Sequence, residues 1–415
     1  MQGTGQSKDV DVLREPAHAL ARTASRVTRT GAQTDQRLTR RARRMRKALG
    51  DLLARCGIEL DGPRPHDVRV LHPRFYDVAL QIGGSTSLRD AYVDGLWDSE
   101  RLDEVTYRVL THAPKLPGSE QLLLAWMAFT GTVRNPQSAR RSFRGGRHYQ
   151  LGEPLFRAML DHRLIYSCAY FRTATNLDDA QEAKLDLVCR KLQLQPGMRV
   201  LDIGCGWGGF ARFAAERYGA QVVGVTVAPD QARVAARACE GLPVQIRLQS
   251  YHALPGQDVP FDAVVSIGMF EHVGRRNYAR YFGVVRDCLA PDGLCLLQTI
   301  GAPKTTTTYD PWMDRHIFPG AFLPSVKHIA AACDGALVIE DWHNFGAYYD
   351  KTLMAWHERF ERAWPELRAR YDERFRRMWK CYLLTCAGAF RARHTQLWQI
   401  VFSRSGVRGG YDSVR

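Results

Sequence analysis

The 415-residue sequence predicts an α/β fold: a doubly wound, mainly parallel sheet, preceded by a smaller N-terminal α+β domain and a basic tail. Two observations predict the sheet and the helices that follow it. After residue 197, apolar runs such as MRVLDIGCG, AQVVGVTV and FDAVVSIG alternate with helical segments such as FARFAAERYG, and this alternation is typical of parallel sheets covered by helices. Residues 350–393 then carry apolar side chains at helical spacing.

Residues 1–38 are predicted to form a disordered basic tail, because they lack hydrophobic periodicity. The chain has a net charge of +15, and between Arg14 and Lys47 eleven basic residues face two acidic ones. This charge favours a polyanionic partner, although a merely solvated arm is the alternative. We expect a membrane surface and no nucleic acid, since no helix-turn-helix, zinc-finger or RNP-like pattern accompanies the charge.

Residues 39–133 mix short strand-like and helical pieces, ending in the apolar stretch EQLLLAWMAFTGTV, which predicts a separate α+β domain. RNPQSARRSFRGGRHY, at 134–149, has five arginines and little apolar content, which indicates a basic linker to a catalytic domain at 150–415. No apolar run reaches the length of a membrane span, and no signal-peptide pattern opens the chain. The ten cysteines form no zinc-type spacing, so the sequence predicts a cytoplasmic protein without a metal site.

The segment VLDIGCGWGG is a strand that runs into a glycine turn and opens a helix. Gly204, Gly206 and Gly209 match the GxGxxG spacing of nucleotide-binding turns, a weak signal alone. Asp202 favours S-adenosylmethionine over a nicotinamide, because a dinucleotide strand is usually apolar there and a carboxylate can pair with the ammonium of the methionine moiety. Gly208 is also predicted to contact the cofactor, since glycines allow close backbone approach to a ligand.

Further cofactor contacts are expected after the next two strands. The strand AQVVGVTV lacks the acid that would usually hold the ribose, but Thr226 and Gln231 can bond to ribose or adenine as neutral partners. Tyr251, after the third strand, is expected to cover the adenine. Tyr149, at the end of the linker, completes the predicted cofactor set.

The stretch SIGMFEHVG, at 266–274, places Glu271 and His272 at the tip of an apparently buried strand. Polar groups cost free energy when they are buried without partners. These nine residues alone leave two interpretations open, a solvated loop or a functional site.

The glycine turn and this loop, with YSCAYF (166–171), DPWMDRHIFPG (310–320), EDWHNFGAYYDKTLMAW (340–356) and CAGAFRAR (386–393), resemble the cyclopropane-fatty-acyl-phospholipid synthase family. The resemblance runs from about Cys56 to Arg404. It implies a class I methyltransferase Rossmann-like fold and a lipid-associated N-terminal domain. It also implies methylene transfer from S-adenosylmethionine across the cis double bond of unsaturated phospholipid acyl chains, by a homodimer peripheral to the inner face of the membrane.

In that family a bound bicarbonate is the base that allows the ring to close. The resemblance places its ligands at Cys168, Glu271, Gln298, the backbone of Ile300 and the hydroxyl of Tyr349. Cys168 is implied to be a ligand and not a nucleophile, because this chemistry needs no covalent intermediate.

The sequence departs from the family pattern in three segments around the implied site. Gln150, Glu153 and Pro154 stand where Asp, Asn and Asp are expected, Ser250 where Asp is expected, and Gln298 where a histidine is expected. One alternative is therefore a related methyltransferase that makes a methyl-branched lipid or methylates a small amine. Another is a basic membrane- or nucleic-acid-binding protein with an inactive cofactor loop.

Overall fold

The computed structural model describes residues 38–79, 85–112, 151–256 and 260–415. The predicted tail up to residue 37, the apolar stretch 120–133, the linker 134–149 and the cofactor contact Tyr149 lie outside these residues. The predictions made for them therefore stay predictions, as does the division of the chain into domains.

The described N-terminal part contains helices and a short antiparallel sheet. The first helix begins after Thr39, whose Oγ1 accepts a hydrogen bond from the backbone N–H of Ala42 at 3.1 Å. The elements are α1 (Arg40–Arg55), β1 (Arg69–Val70), α2 (Arg74–Ala79), α3 (Ser85–Val93), β2 (Trp97–Asp98) and α4 (Leu102–His112).

The C-terminal part, from residue 151, contains the large sheet and its covering helices. Its strands are β3 (Arg199–Ile203), β4 (Gln221–Thr226), β5 (Val244–Leu248), β6 (Phe261–Ile267), β7 (Leu289–Gly301), β8 (Val338–Asn344) and β9 (Gln396–Ser403). Its helices are α5 (Glu153–Met159), α6 (Leu177–Lys191), α7 (Gly209–Tyr218), α8 (Pro229–Ala238), α9 (Tyr278–Cys288), α10 (Pro311–His316), α11 (Val326–Cys333), α12 (Ala347–Leu367) and α13 (Glu373–Arg391).

The large sheet has seven strands in the order β5-β4-β3-β6-β7-β9-β8. The first five strands in this order are parallel, and β9 pairs antiparallel with both β7 and β8. From β3 the chain builds outward through β4 and β5, then returns to the other side at β6. This reversal leaves a crevice at the carboxyl ends of β3 and β6, where open α/β sheets bind ligands. The predicted doubly wound, mainly parallel sheet is confirmed.

The N-terminal part shares a hydrophobic core with the C-terminal helices. Phe75 and Tyr92 belong to the same buried cluster as Trp312 and Trp379. Polar contacts cross the same boundary: Arg89 donates from one nitrogen to both carboxylate oxygens of Asp310 at 2.7 Å. Packing of this extent holds the segment around α10 in place beside the site described below.

Among the described residues, no helix is both long enough and apolar enough to cross a bilayer.

Candidate active site

The glycine turn after β3 forms part of the wall of a cavity of about 290 Å³ at the carboxyl ends of β3, β4, β5 and β6. This is the crevice at which the strand order reverses. Six of the predicted cofactor residues line the cavity, and they come from four separate stretches of the chain: Asp202, Gly204, Gly206, Thr226, Gln231 and Tyr251.

The glycines of the turn have different environments. Gly206 has a φ of +54°, and no heavy atom of the described residues lies within 4 Å of a Cβ built on it, so a side chain there would enter open space. A Cβ on Gly204 would lie 2.7 Å from the Cβ of Met269. Gly208 does not line the cavity. A Cβ on Gly208 would lie 2.9 Å from the Cβ of Ala235, so this glycine permits close packing of the turn against α8.

Asp202 is buried at the end of β3, and its Oδ2 has no hydrogen-bond partner among the described residues. Burial raises its pKa to about 7, against the opposing influence of the nearby Lys184 ammonium. An unpaired buried carboxylate is costly unless a ligand satisfies it. Together with the open space beside Gly206, this carboxylate fits a ligand that carries an ammonium group, as S-adenosylmethionine does.

The predicted ribose and adenine contacts line the same cavity. The Thr226 hydroxyl donates to Oε1 of Gln231 at 3.0 Å, so the two side chains hold one another beside the cavity. The Tyr251 ring lies against His252, with 4.0 Å between ring centroids. The Tyr251 hydroxyl is buried without a partner among the described residues, and burial raises its pKa to about 12. A neutral tyrosine at this wall can stack on a base and donate a hydrogen bond.

Glu271 is buried in a short 3₁₀ helix, Phe270–His272, that follows β6. Its Oε1 accepts a hydrogen bond from the Ile300 N–H at 2.7 Å, whereas its Oε2 has no partner among the described residues. Burial raises the pKa of Glu271 to about 7. His272 lines the same cavity as Asp202 and Gly206, the donor cavity, and burial lowers the His272 pKa to about 4. The loop at Glu271 is therefore not solvated, and the interpretation as a functional site is favoured.

Tyr349 lies near both Cys168 and Glu271. Tyr349 is almost fully buried, and burial raises its pKa well above the usual value, with a smaller contribution from the Glu271 carboxylate. Burial also raises the pKa of the Cys168 thiol, and the Thr352 hydroxyl approaches its Sγ at 4.0 Å. A thiol that stays protonated is a poor nucleophile, which agrees with a binding role.

Gln298 is fully buried in β7, where it pairs in register with Ile267 of β6 and Gln399 of β9. The Gln399 amide donates to Oε1 of Gln298 at 3.0 Å, and the Gln298 Nε2 has no partner among the described residues. The implied bicarbonate ligands thus include an unpaired acceptor, on Glu271, and an unpaired donor, on Gln298. Bicarbonate offers both an O–H and acceptor oxygens, so these two groups match it in hydrogen-bonding capacity.

Several residues that line the cavity were not predicted from the sequence as cofactor contacts: Tyr166, Ser167, Lys184, Trp207, Gln249 and His252. Trp207 lies inside the glycine turn, and Tyr166 and Ser167 lie in the segment YSCAYF, so proximity to known motifs could have found them. Lys184 carries no such signal, because a lysine in an amphipathic helix usually faces solvent.

Comparisons with known proteins agree with this site. The family described as mycolic acid cyclopropane synthetase matches residues 137–400. The cyclopropane-fatty-acyl-phospholipid synthase of Escherichia coli K12 is 51% identical over 373 residues, which cover 88% of this chain and 94% of that protein.

Solved structures agree as well. The cyclopropane synthase MmaA2 from Mycobacterium tuberculosis has a TM-score of 0.59 at 30% identity, covering 65% of this chain and 100% of that one. The mycolic acid cyclopropane synthase CmaA1, solved with SAH and CTAB, has a TM-score of 0.59 at 31% identity, covering 63% and 98%.

The family, the methyltransferase fold and the enzyme class predicted from the sequence are therefore confirmed, and S-adenosylmethionine is the methyl donor that they share. The chain belongs to the mycolic acid cyclopropane synthetase family and is an S-adenosylmethionine-dependent methyltransferase of the cyclopropane synthase type.

Proposed function

We propose that this protein is a cyclopropane-fatty-acyl-phospholipid synthase, which transfers a methylene from S-adenosylmethionine across the cis double bond of unsaturated phospholipid acyl chains. The observation that carries the proposal is the buried Glu271, with one oxygen fixed by the Ile300 N–H and the other unpaired. Its neighbour His272 lines the donor cavity, so Glu271 belongs to a loop that borders this cavity. The identity with the Escherichia coli synthase over 94% of that protein supports the same conclusion.

The reaction sets the requirements for the site. An alkene carbon bonds to the sulfonium methyl while the carbon–sulfur bond breaks; a proton then leaves the transferred carbon, and its bonding electrons close the ring. The alkene offers no polar atom to activate, so the protein contributes positioning, exclusion of water and a well-placed base. Two buried aromatic side chains, Trp356 and Phe390, flank Tyr349. Their apolar surface helps to exclude water.

When bound, bicarbonate supplies the base. Glu271 Oε2 would accept its O–H, and Gln298 Nε2 and the Tyr349 hydroxyl would donate to its oxygens. Cys168 would contribute its backbone, because its thiol already donates to the Ala169 carbonyl oxygen at 3.3 Å. Because the Ile300 N–H already donates to Glu271, Ile300 acts by holding the Glu271 carboxylate in one orientation.

Gln298→His is expected to keep ring formation and to raise it when bicarbonate is limiting. A glutamine amide donates a neutral hydrogen bond, whereas an imidazolium donates a charge-assisted one that is roughly twice as strong. The measurement is ring formation on unsaturated phospholipid vesicles across a bicarbonate titration for both forms. Gln399→Leu is a second variant to compare. It removes the hydrogen bond that Gln399 donates to Gln298 and keeps the Gln298 amide that is proposed to bind bicarbonate. A natural protein indifferent to bicarbonate at all concentrations would exclude this role for Gln298.

The substrate proposal requires a peripheral enzyme at the inner membrane face, and the exposed arginines of α1 support it. Ala42, Leu49 and Leu52 of α1 are buried, while Arg40, Arg41, Arg43 and Arg44 are exposed. The first turn of α1 has no acidic residue, although a helix N-terminus favours negative charge. An anionic lipid surface would supply this negative charge. A homodimer, which would place two such helices on one membrane, is part of the same proposal.

Replacing Arg40, Arg41, Arg43 and Arg44 by glutamine is expected to weaken binding to anionic vesicles by about 100-fold or more at low salt. Each arginine near such a surface contributes about 1 kcal/mol, and salt screens the attraction. Vesicle co-sedimentation at low and high salt measures the effect. The matched control replaces the exposed Arg362, Arg368, Arg370 and Arg374, which removes equal charge from α12, α13 and the turn between them. Equal losses of vesicle binding in both variants would show that binding depends on the net charge of the protein and not on α1.

A methyl-branching enzyme is the second candidate, favoured by Gln298 in place of the expected histidine. Without a competent base at the transferred carbon, this carbon would keep its hydrogens and no ring would close. The carbocation would instead lose a proton from a neighbouring chain carbon, which gives a methyl-branched alkene. The identity of the product separates the two candidates.

A further inference from the structure

Lys184 is a buried lysine on α6 whose role the proposed chemistry leaves open. Its side chain is fully buried, yet it contributes to the wall of the donor cavity. Among the described residues, its Nζ makes a single hydrogen bond, which it donates to the Ser167 Oγ at 3.0 Å. An ammonium has three donors, so two of them are left without a partner in a dry environment, which is unfavourable unless a ligand uses them.

Two carboxylates lie close enough to Lys184 to influence its charge, Asp161 and Asp202. Neither accepts a hydrogen bond from it among the described residues. Asp161 is engaged by the backbone, since its two oxygens accept from the N–H groups of Ile165 and Arg163 at 2.9 Å. Asp202 also lines the cavity, and its Oδ2 is unpaired. The same cavity therefore holds an unpaired carboxylate and an ammonium with unused donors.

This arrangement matches the amino-acid end of the methyl donor, which carries one ammonium and one carboxylate. Asp202 suits the ammonium. The carboxylate is the donor's only anionic group, and a lysine ammonium beside a serine hydroxyl suits it. We propose that Lys184, with Ser167, binds the carboxylate of S-adenosylmethionine, while Asp202 binds its ammonium.

The alternative role for Lys184 is that of a structural counterion to Asp161 and Asp202. The two roles differ in one measurable respect. A carboxylate-binding lysine discriminates between donors that have and lack the carboxylate, whereas a counterion affects both donors alike. The decarboxylated analogue of S-adenosylmethionine, which keeps the ammonium and the sulfonium, is therefore the appropriate probe.

The test is isothermal titration of the full-length protein with S-adenosylmethionine and with its decarboxylated analogue. The natural protein is expected to bind the intact donor about 10- to 100-fold more tightly, as for loss of one charge-assisted interaction. Lys184→Met is expected to reduce this ratio to within about threefold of unity, mainly by weakening binding of the intact donor. Lys184→Arg, which keeps the charge, is expected to retain part of the discrimination.

Lys191→Met is the matched control. Lys191 is also buried on α6, but it pairs with Asp341 at 3.3 Å and does not line the cavity, so its loss should leave the ratio unchanged. Equal affinities of the natural protein for both ligands would overturn the proposal even if Lys184→Met did not fold. A full ratio retained in folded Lys184→Met would overturn it as well. The titrations contain no lipid, so their outcome is independent of whether the protein forms cyclopropane rings.

Discussion

Glu271→Gln is expected to reduce ring formation by about 10²- to 10⁴-fold while leaving the affinity for S-adenosylmethionine within about twofold. A glutamine oxygen can still accept the hydrogen bond that the Ile300 N–H donates to Oε1. The NH₂ group that replaces Oε2 cannot accept a hydrogen bond, so the base loses the group that orients it. A positioned general base contributes about 10²- to 10⁴-fold in enzymes, and a base that is no longer oriented loses this contribution.

The measurement pairs turnover on unsaturated phospholipid vesicles with titration of the donor. Tyr349→Phe should likewise reduce turnover and retain donor affinity. The Tyr349 hydroxyl is proposed to hold the base, and Tyr349 does not line the donor cavity. Glu240→Gln, on the exposed surface after α8, is the control for the loss of one carboxylate. A matching fall in donor affinity for Glu271→Gln would place this carboxylate in donor binding and contradict its assigned role.

Gly206→Val is expected to weaken donor binding by more than about 100-fold and to abolish turnover with it. Gly206 lines the cavity with a left-handed φ of +54°, a conformation that a β-branched residue adopts only with strain. A valine side chain would also occupy the open space that the donor needs. Isothermal titration with S-adenosylmethionine measures the loss directly.

Gly241→Val separates the two effects. Gly241 also has a left-handed φ, +80°, and no heavy atom of the described residues lies within 4 Å of a Cβ built on it, but it lies outside the cavity. The substitution should destabilise the fold to a similar degree, seen by thermal unfolding, and leave donor affinity unchanged. Comparable losses of affinity in both variants would assign the effect to backbone strain and remove the turn from the site.

The central sheet could be predicted because buried parallel strands are almost continuous apolar runs, and MRVLDIGCG and FDAVVSIG stand out as such. The insertion of β9 between β7 and β8 could not be predicted. It depends on pairing Gln298 with Gln399, about a hundred residues apart, and no local pattern specifies such a partner. The core that the N-terminal part shares with the C-terminal helices could not be predicted from the sequence for the same reason.

The site was predictable where function leaves a local pattern. Asp202 precedes a glycine turn, and Glu271 interrupts an apolar strand end, so each is conspicuous in the sequence. Lys184 is not, because helical periodicity does not reveal that a single polar side chain points inward. The bond from Ile300 to Glu271 is equally invisible, since it joins a backbone group to a side chain 29 residues away.

Transfer of a trideuterated methyl group tests the central claim most directly. The protein is incubated with S-adenosylmethionine that carries a CD₃ group and with vesicles of a monounsaturated phospholipid, and the acyl chains are analysed by mass spectrometry and proton NMR. Ring closure removes one deuterium, so the account predicts a CD₂ bridge and, with unlabelled donor, the upfield resonances of a three-membered ring. A chain that retains CD₃ as a branch, or one that bears an exocyclic CD₂ alkene without ring resonances, would contradict it.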